Sequence, residues 1–387
     1  MEPSLPYFNP FSQDPKDIQK AIGQLLVVGF QGSDEHPPEA IQDALAEGKI
    51  GGVILFRRNV ATLEQVLRLN GAIHDAARDA IAPPFVSLDQ EGGRVVRLRD
   101  PLTPIPPMRA VGQTQNTSLC AQVSEVIATE VAACGFNLNF APVIDVDTNP
   151  DNPIIGDRAF SNVPHEVSRM AGAFLVGHWT AGVIPCGKHF PGHGDTDTDS
   201  HLELPVLNHA PERLEDVELE PFRKMIEADI SMLMTAHIMV PALDTVHPAT
   251  LSHAVMTRLL RQELGYKGVV ITDDLEMKAV SETYSVEEMV ELGLRAGIDI
   301  FLICHTQEKW EKAWAHLLKL SENERDRTRI FESANRVMRL KNEMLSSWAR
   351  PWRPNAAMLD EIGSQKHLEI MRHVPSLHVG KDPTEAN

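Results

Sequence analysis

The most constraining feature of this chain is a repeated alternation of short apolar runs with longer amphipathic stretches. Strand candidates fall at Leu25–Phe30, Gly52–Phe56, Phe85–Asp89, Leu138–Pro142, Val183–His189, Ser231–His237, Val269–Asp273 and Ile298–Cys304. Several are continuously apolar (GGVILF, GVVIT, GIDIFLI), the pattern of parallel strands covered on both faces. Helix-like stretches lie between them at Thr62–Ala80, Ser118–Ala133, His165–Thr180, Pro211–Ala228 and Ser252–Leu264. In Ser118–Ala133, the spacing of Val123, Ile127 and Val131 makes one apolar stripe. Eight strands alternating with helices predict an α/β fold, a (β/α)8 barrel of the TIM type. An open doubly wound sheet shares this rhythm, but Gly92-Gly93 in QEGGRV lacks the glycine spacing of a dinucleotide fingerprint. The 387 residues suit one barrel with additions.

Two regions fall outside the rhythm. PLTPIPP, at Pro101–Pro107, reads as a rigid surface connection. After Leu345, Trp348, Pro351, Trp352 and Pro354 interrupt the helical pattern before an amphipathic stretch at Met358–Met371. We therefore expect the barrel over residues 1–344 and a short helical appendage over 345–387, with its polar end GKDPTEAN frayed. The formal net charge of −18 disfavours nucleic acid or an anionic membrane surface as partner. Cysteines 120, 134, 186 and 304 form no C-x-x-C pair and read as reduced thiols. The first residues show no basic stretch followed by an apolar one, and no apolar run is long enough to span a bilayer. A cytoplasmic protein is expected.

Chemistry-bearing side chains gather at the carboxyl ends of the proposed strands: Asp89, Lys188-His189, His237 and Asp273-Asp274. In a barrel these ends share one face, where loops build the active site. The densest stretch is KHFPGHGDTDTDSHLELP, residues 188–205. His189 and His193 have the spacing of a helical metal pair, but Pro191 and Gly192 between them oppose a helix, so no metal is expected. Asp195 and Asp197 read most simply as turn formers. Asp199 and His201 suit a dyad in which a carboxylate orients an imidazole that donates and recovers a proton. Ser200 lacks the G-x-S-x-G context of a nucleophile elbow.

These strings resemble the family 3 glycoside hydrolases, and within them the single-domain β-N-acetylglucosaminidases of bacterial peptidoglycan recycling. GVILFRRN, LDQEGGRVVRL, NFAPVIDV, GDRAF, KHFPGHGDTDTDSH, TAHI, PATLS and TDDLEM occur in family order across nearly the whole barrel. The resemblance implies that Asp273 is the nucleophile of a retaining reaction, and that His201, oriented by Asp199, is an unusual general acid/base. It makes Asp89, Arg97, Arg158, Lys188 and His189 ligands of the sugar. Asp274 is expected to support its loop, because successive strand residues point to opposite sides. For Arg158 the plainer reading is an ion pair with Asp157, and for His237 a packed structural role. No cofactor is implied, and the partner is a small carbohydrate, a muropeptide or an oligosaccharide carrying N-acetylglucosamine.

Three other readings remain open at this level. A histidine acid/base repels an incoming anion less than a carboxylate does, which leaves room for a phosphorylase that uses phosphate as acceptor. A catalytically silent, muropeptide-binding barrel and a β-glucosidase are the other two. Asp273 and the Asp199–His201 pair are both retained, which argues against the silent barrel, and the Lys188–His201 string disfavours the glucosidase.

Overall fold

In the computed structural model, which describes residues 5–196, 203–346, 352–377 and 380–384, each apolar run becomes one strand of a single sheet. The strands are β1 (Leu26–Val28), β2 (Gly52–Ile54), β3 (Phe85–Leu88), β4 (Leu138–Asn139), β5 (Ile184–Phe190), β6 (Met232–Thr235), β7 (Val269–Asp274) and β8 (Ile300–Ile303). They pair in sequence order, all parallel, and the sheet closes as a barrel. The closing pair is β1 with β8, with Leu26 opposite Phe301. The expected (β/α)8 barrel is therefore the fold.

Alternation along the strands sorts their side chains between two cores. Val27, Ile54, Phe85, Leu138, Ile184, Met232, Val269, Ile271 and Ile300 fill the barrel interior. Val28, Val53, Val86, Leu233, Val270 and Phe301 face the helical ring. The long helix Glu324–Leu345 runs beneath the barrel, and its Val337, Leu340 and Leu345 join the interior core. Its buried Lys341 donates to Gln24 Oε1 and the Gly51 carbonyl, at 2.8 Å each. The amino-terminal end of the barrel is thus plugged, which leaves the carboxyl ends of the strands open for chemistry.

The helices form close to their expected places, at Leu63–Ala76, Thr117–Ala133 and Pro164–Ala181. Thr62 caps the first of these by accepting from the Gln65 amide, a contact worth about 1 kcal/mol. The stretches at 211–227 and 254–263 are helical too, with π-type turns at Leu214–Glu218 and Ala254–Glu263.

Two expectations differ here, the surface connection and the frayed end. The proline-rich connection is not purely superficial: Leu102 and Thr103 are buried, and Glu130 accepts from the Thr103 amide and hydroxyl at 2.8 and 2.6 Å. The appendage stretch is two short helices, Ala356–Leu359 and Gln365–Met371, because Gly363 turns with φ 63°. His367 and the Gly363 amide bind Glu130, and the Trp352 ring lies 5.8 Å from His74. Residues 380–384, expected to fray, instead return to the open face of the barrel, where Arg97 holds Asp382. Trp348 lies outside the described residues.

Candidate active site

The carboxyl ends of β2 through β8 surround a cavity lined by Asp89, Arg97, Arg158, Lys188, His189, His193, Asp273 and Asp274. Every described residue singled out above as a catalytic or sugar-binding group lines it. Asp197, Asp199, Ser200 and His201 lie outside the described residues.

The loop after β3 is set by one glutamine. Gln90 is fixed to β4 through Asn139, whose side chain accepts from the Gln90 amide and donates to its carbonyl. The Gln90 side chain then accepts from the Arg97 and Leu98 amides and donates to the Leu98 carbonyl. Between them the chain turns at Gly92 and Gly93, with φ of 105° and 57°. A Cβ at either position would lie within 2.7 Å of the proline-rich segment, so both residue type and conformation call for glycine. This turn brings Arg97 back over Asp89, 3.1 Å away.

From there a buried chain of ion pairs crosses the site. Lys188 Nζ lies 2.8 Å from Asp89 and 2.5 Å from Glu91. Arg158 donates from Nε and Nη2 to the two oxygens of Glu91, both at 2.8 Å. The expected ion pair of Arg158 with Asp157 does not form, since Asp157 pairs with Arg94 at 2.8 Å instead. Burial alone would raise the Glu91 carboxyl, but Arg158 and Lys188 outweigh it and hold the group well below the usual carboxylate range. Asp89 is lowered in the same way by Lys188 and Arg97.

A second anchor holds the start of the long loop. Asp145, fully buried after β4, accepts from the His189 amide, from His189 Nδ1 at 2.7 Å and from the His193 amide at 2.7 Å. Burial would raise this carboxyl, yet the adjoining His189 keeps it lowered. His193, also in contact with Thr196 Oγ1, is pushed down to about 4 by burial. Gly194 lies so close to the Val146 carbonyl, 1.9 Å from where a Cβ would stand, that a side chain has no room. The peptides Lys188–His189 and Phe190–Pro191 are cis.

Asp273, the penultimate residue of β7, lines the cavity, and its Oδ1 accepts from the Asp274 amide at 2.8 Å. Asp274 supports the following loop: its Oδ1 accepts from the Glu276 and Cys304 amides, and its Oδ2 lies 3.1 Å from His305 Nε2. His237 is a packed structural residue. Its ring bridges Thr250 Oγ1 at 2.9 Å and the Asp274 carbonyl at 3.0 Å, and burial lowers its pKa. It thereby braces the strand end that presents Asp273.

Beyond the cavity, Asp195 accepts from Thr148 Oγ1 and contacts His209. Asp195, His209 and Glu218 bring ligand atoms within 4.8 Å of one another. Arg213 pairs with Glu218 at 3.0 Å and approaches Asp195 at 3.9 Å, so a guanidinium already supplies the positive charge there. All four cysteines are buried free thiols.

Glu91 and Asp145 were not singled out from the sequence. Glu91 had a local signal, since it lies two residues after Asp89 at a strand end and so points to the same side. Asp145 had a weaker one, an acidic residue closing the apolar string FAPVI just beyond a strand.

The strand ends of the barrel thus present three carboxylates, Asp89, Asp273 and Asp274, and three cations, Arg97, Arg158 and Lys188, to one cavity. Residues 17–340 match the family described as glycosyl hydrolase family 3 N terminal domain, and the chain belongs to that family. It is 34% identical over 377 residues to β-hexosaminidase A of Pseudoalteromonas piscicida, covering 87% of this chain and 63% of that protein. The structure of a family 3 β-N-acetylglucosaminidase from Paenibacillus sp. superposes with a TM-score of 0.83 at 36% identity, covering 91% of this chain and 67% of that one. NagZ from Neisseria gonorrhoeae, solved in complex with N-trifluoroacetyl-D-glucosamine, superposes with a TM-score of 0.69 at 33% identity, covering 81% and 86%. Among the described residues, no helix is long and apolar enough to cross a membrane.

Proposed function

We propose that the protein is a retaining exo-β-N-acetylglucosaminidase that removes non-reducing terminal β-linked N-acetylglucosamine, with peptidoglycan fragments as its natural substrates. The observation that carries this reading is the placement of Asp273 at a rigid strand end, facing a cavity ringed by Asp89, Arg97, Arg158, Lys188 and His189. It is supported by the β-hexosaminidase relative and by the neighbour bound to an N-acylated glucosamine. Cytoplasmic action on such fragments is the setting this reading implies.

In this mechanism Asp273 attacks the anomeric carbon while His201, oriented by Asp199, protonates the departing oxygen. Water then cleaves the glycosyl-enzyme, activated by the same imidazole, and the β configuration is retained. Both loop residues lie outside the described residues, so the role of the imidazole rests on the loop string and its family resemblance. The buried cations and carboxylates act as directional partners for hydroxyls of a neutral sugar. Asp145 and Gln90 act through other residues, holding His189 and Arg97 in place.

The test is turnover of an aryl N-acetyl-β-glucosaminide with and without phosphate. Free N-acetylglucosamine at a phosphate-independent rate is the expected result. Phosphate-dependent release of the sugar 1-phosphate as main product would replace this reading with the phosphorylase. In the same assay, His201→Ala should impair substrates with poor leaving groups far more than activated aryl glycosides.

A further inference from the structure

The carboxyl-terminal segment enters the candidate site. Arg97 is 1% exposed, and its guanidinium meets three partners. Nη2 donates to Asp89 at 3.1 Å and to Thr384 Oγ1 at 2.8 Å, and Nη1 donates to Asp382 Oδ2 at 2.8 Å. The Asp382 carboxylate is 3% exposed in that ion pair. Asp382 also orders its own segment: its Oδ1 accepts from the Thr384 amide and hydroxyl at 2.8 and 2.7 Å. Thr384 lines the cavity itself, alongside Asp89, Arg97 and Asp273. The segment therefore forms part of the cavity wall.

Charge balance shows what the wall does. Among the described residues, the ion pairs that cross the site link three cations, Arg97, Lys188 and Arg158, through two carboxylates, Asp89 and Glu91. Within these pairs one positive charge is in excess, and Arg97 stands at the end of the chain. Asp382 supplies the third carboxylate there. Without it, Arg97 would keep Asp89 as its carboxylate partner and be open to any anion that reached it. With it, an arriving anionic group meets a neutralised guanidinium and two nearby carboxylates.

We propose that residues 380–384 are a built-in part of the sugar pocket, in which Asp382 and Thr384 position Arg97 and cancel its charge. The pocket then accepts a neutral sugar and rejects one bearing an anionic substituent beside Arg97. This inference rests on the proposal that the cavity binds N-acetylglucosamine. Asp382 is here a positioning and specificity residue, while Thr384 is a surface of the pocket.

The test compares dissociation constants of N-acetylglucosamine and its 6-phosphate by calorimetry. It uses the full chain, Asp382→Asn, Asp382→Glu and a chain ending at Gly380. The full chain should prefer the neutral sugar at least tenfold. Asp382→Asn and the shortened chain should lose most of that preference through tighter binding of the phosphate, and Asp382→Glu should restore it. A preference unchanged in both altered chains would overturn the inference. So would a shortened chain with raised kcat/KM on a neutral aryl glycoside, because the segment would then be a competitor of substrate. A full chain that binds both sugars with the expected change in preference, yet hydrolyses no N-acetylglucosaminide, would refute the proposed activity and leave this inference standing.

Discussion

Replacing Glu91 with glutamine tests whether the buried ion-pair chain organises the site. Glu91 accepts two hydrogen bonds from Arg158 at 2.8 Å and pairs with Lys188 at 2.5 Å, with all three side chains at most 3% exposed. Glutamine keeps the shape but loses the charge and turns one acceptor into a donor facing a cation. Removing one partner of a buried pair costs about 3–5 kcal/mol, because the remaining charge is stranded in low dielectric. Two cations are left short here, so a loss of at least about 3 kcal/mol is expected in chemical denaturation. The sugar affinity should fall too, as Lys188 and Arg158 shift toward their remaining partners. A double-mutant cycle with Glu91→Leu and Arg158→Leu isolates the pair, and its coupling energy should exceed about 2 kcal/mol. A Glu91→Gln chain within about 1 kcal/mol of the parent, or an additive cycle, would refute the reasoning.

Asp145→Asn should loosen the turn that carries His189 and His193, costing about 1–3 kcal/mol for a donor left unsatisfied and lowering turnover at least tenfold. Turnover unchanged in steady-state assays would show that the anchor is irrelevant to the site. The pH dependence of stability should also be steep in mild acid. His178, His74 and His193 are held down by burial to about 3, 4 and 4, from an ordinary value of 6.5. The unfolded chain therefore binds protons before the folded one does. Their contribution is complete above pH 6.5 and declines as pH falls toward 4, by about 3 kcal/mol per histidine. Asp89 and Glu91, whose values are depressed, contribute stability that is lost only below their ordinary range, at still lower pH. Thermal melts that stay flat between pH 6.5 and 4.5 would contradict the histidine account.

The barrel was legible because its strands are buried on both faces. Apolar runs such as GVILF and DIFLI have no polar side to confuse their period, and each of the eight strands lies inside its expected segment or overruns it by one residue. The lining of the candidate cavity was legible where a polar residue directly ended such a run, as at Asp89, Lys188 and Asp273. It was less so where a residue acts through a partner distant in sequence. Nothing near Arg158 announces Glu91, which is 67 positions away, and its neighbour Asp157 was the obvious wrong partner. The reach of Asp382 to Arg97 spans 285 positions, and a polar terminal octapeptide has no periodicity from which a destination can be read. The Pro101–Pro107 segment misled for a related reason. Proline marks stiffness, and burial of this stretch depends on Glu130 from a separate helix.

The central claim is that Asp273 forms a covalent bond to the sugar. His201→Ala should slow the second step, which needs a base, more than the first when the leaving group is activated. Intact-mass spectrometry of that variant, quenched during turnover of an activated aryl N-acetyl-β-glucosaminide, should show an adduct of one N-acetylhexosaminyl unit. Peptide mapping should place it on Asp273, and the parallel Asp273→Asn chain should carry none. An adduct on another residue, or steady turnover that releases the α anomer with no adduct, would contradict the account.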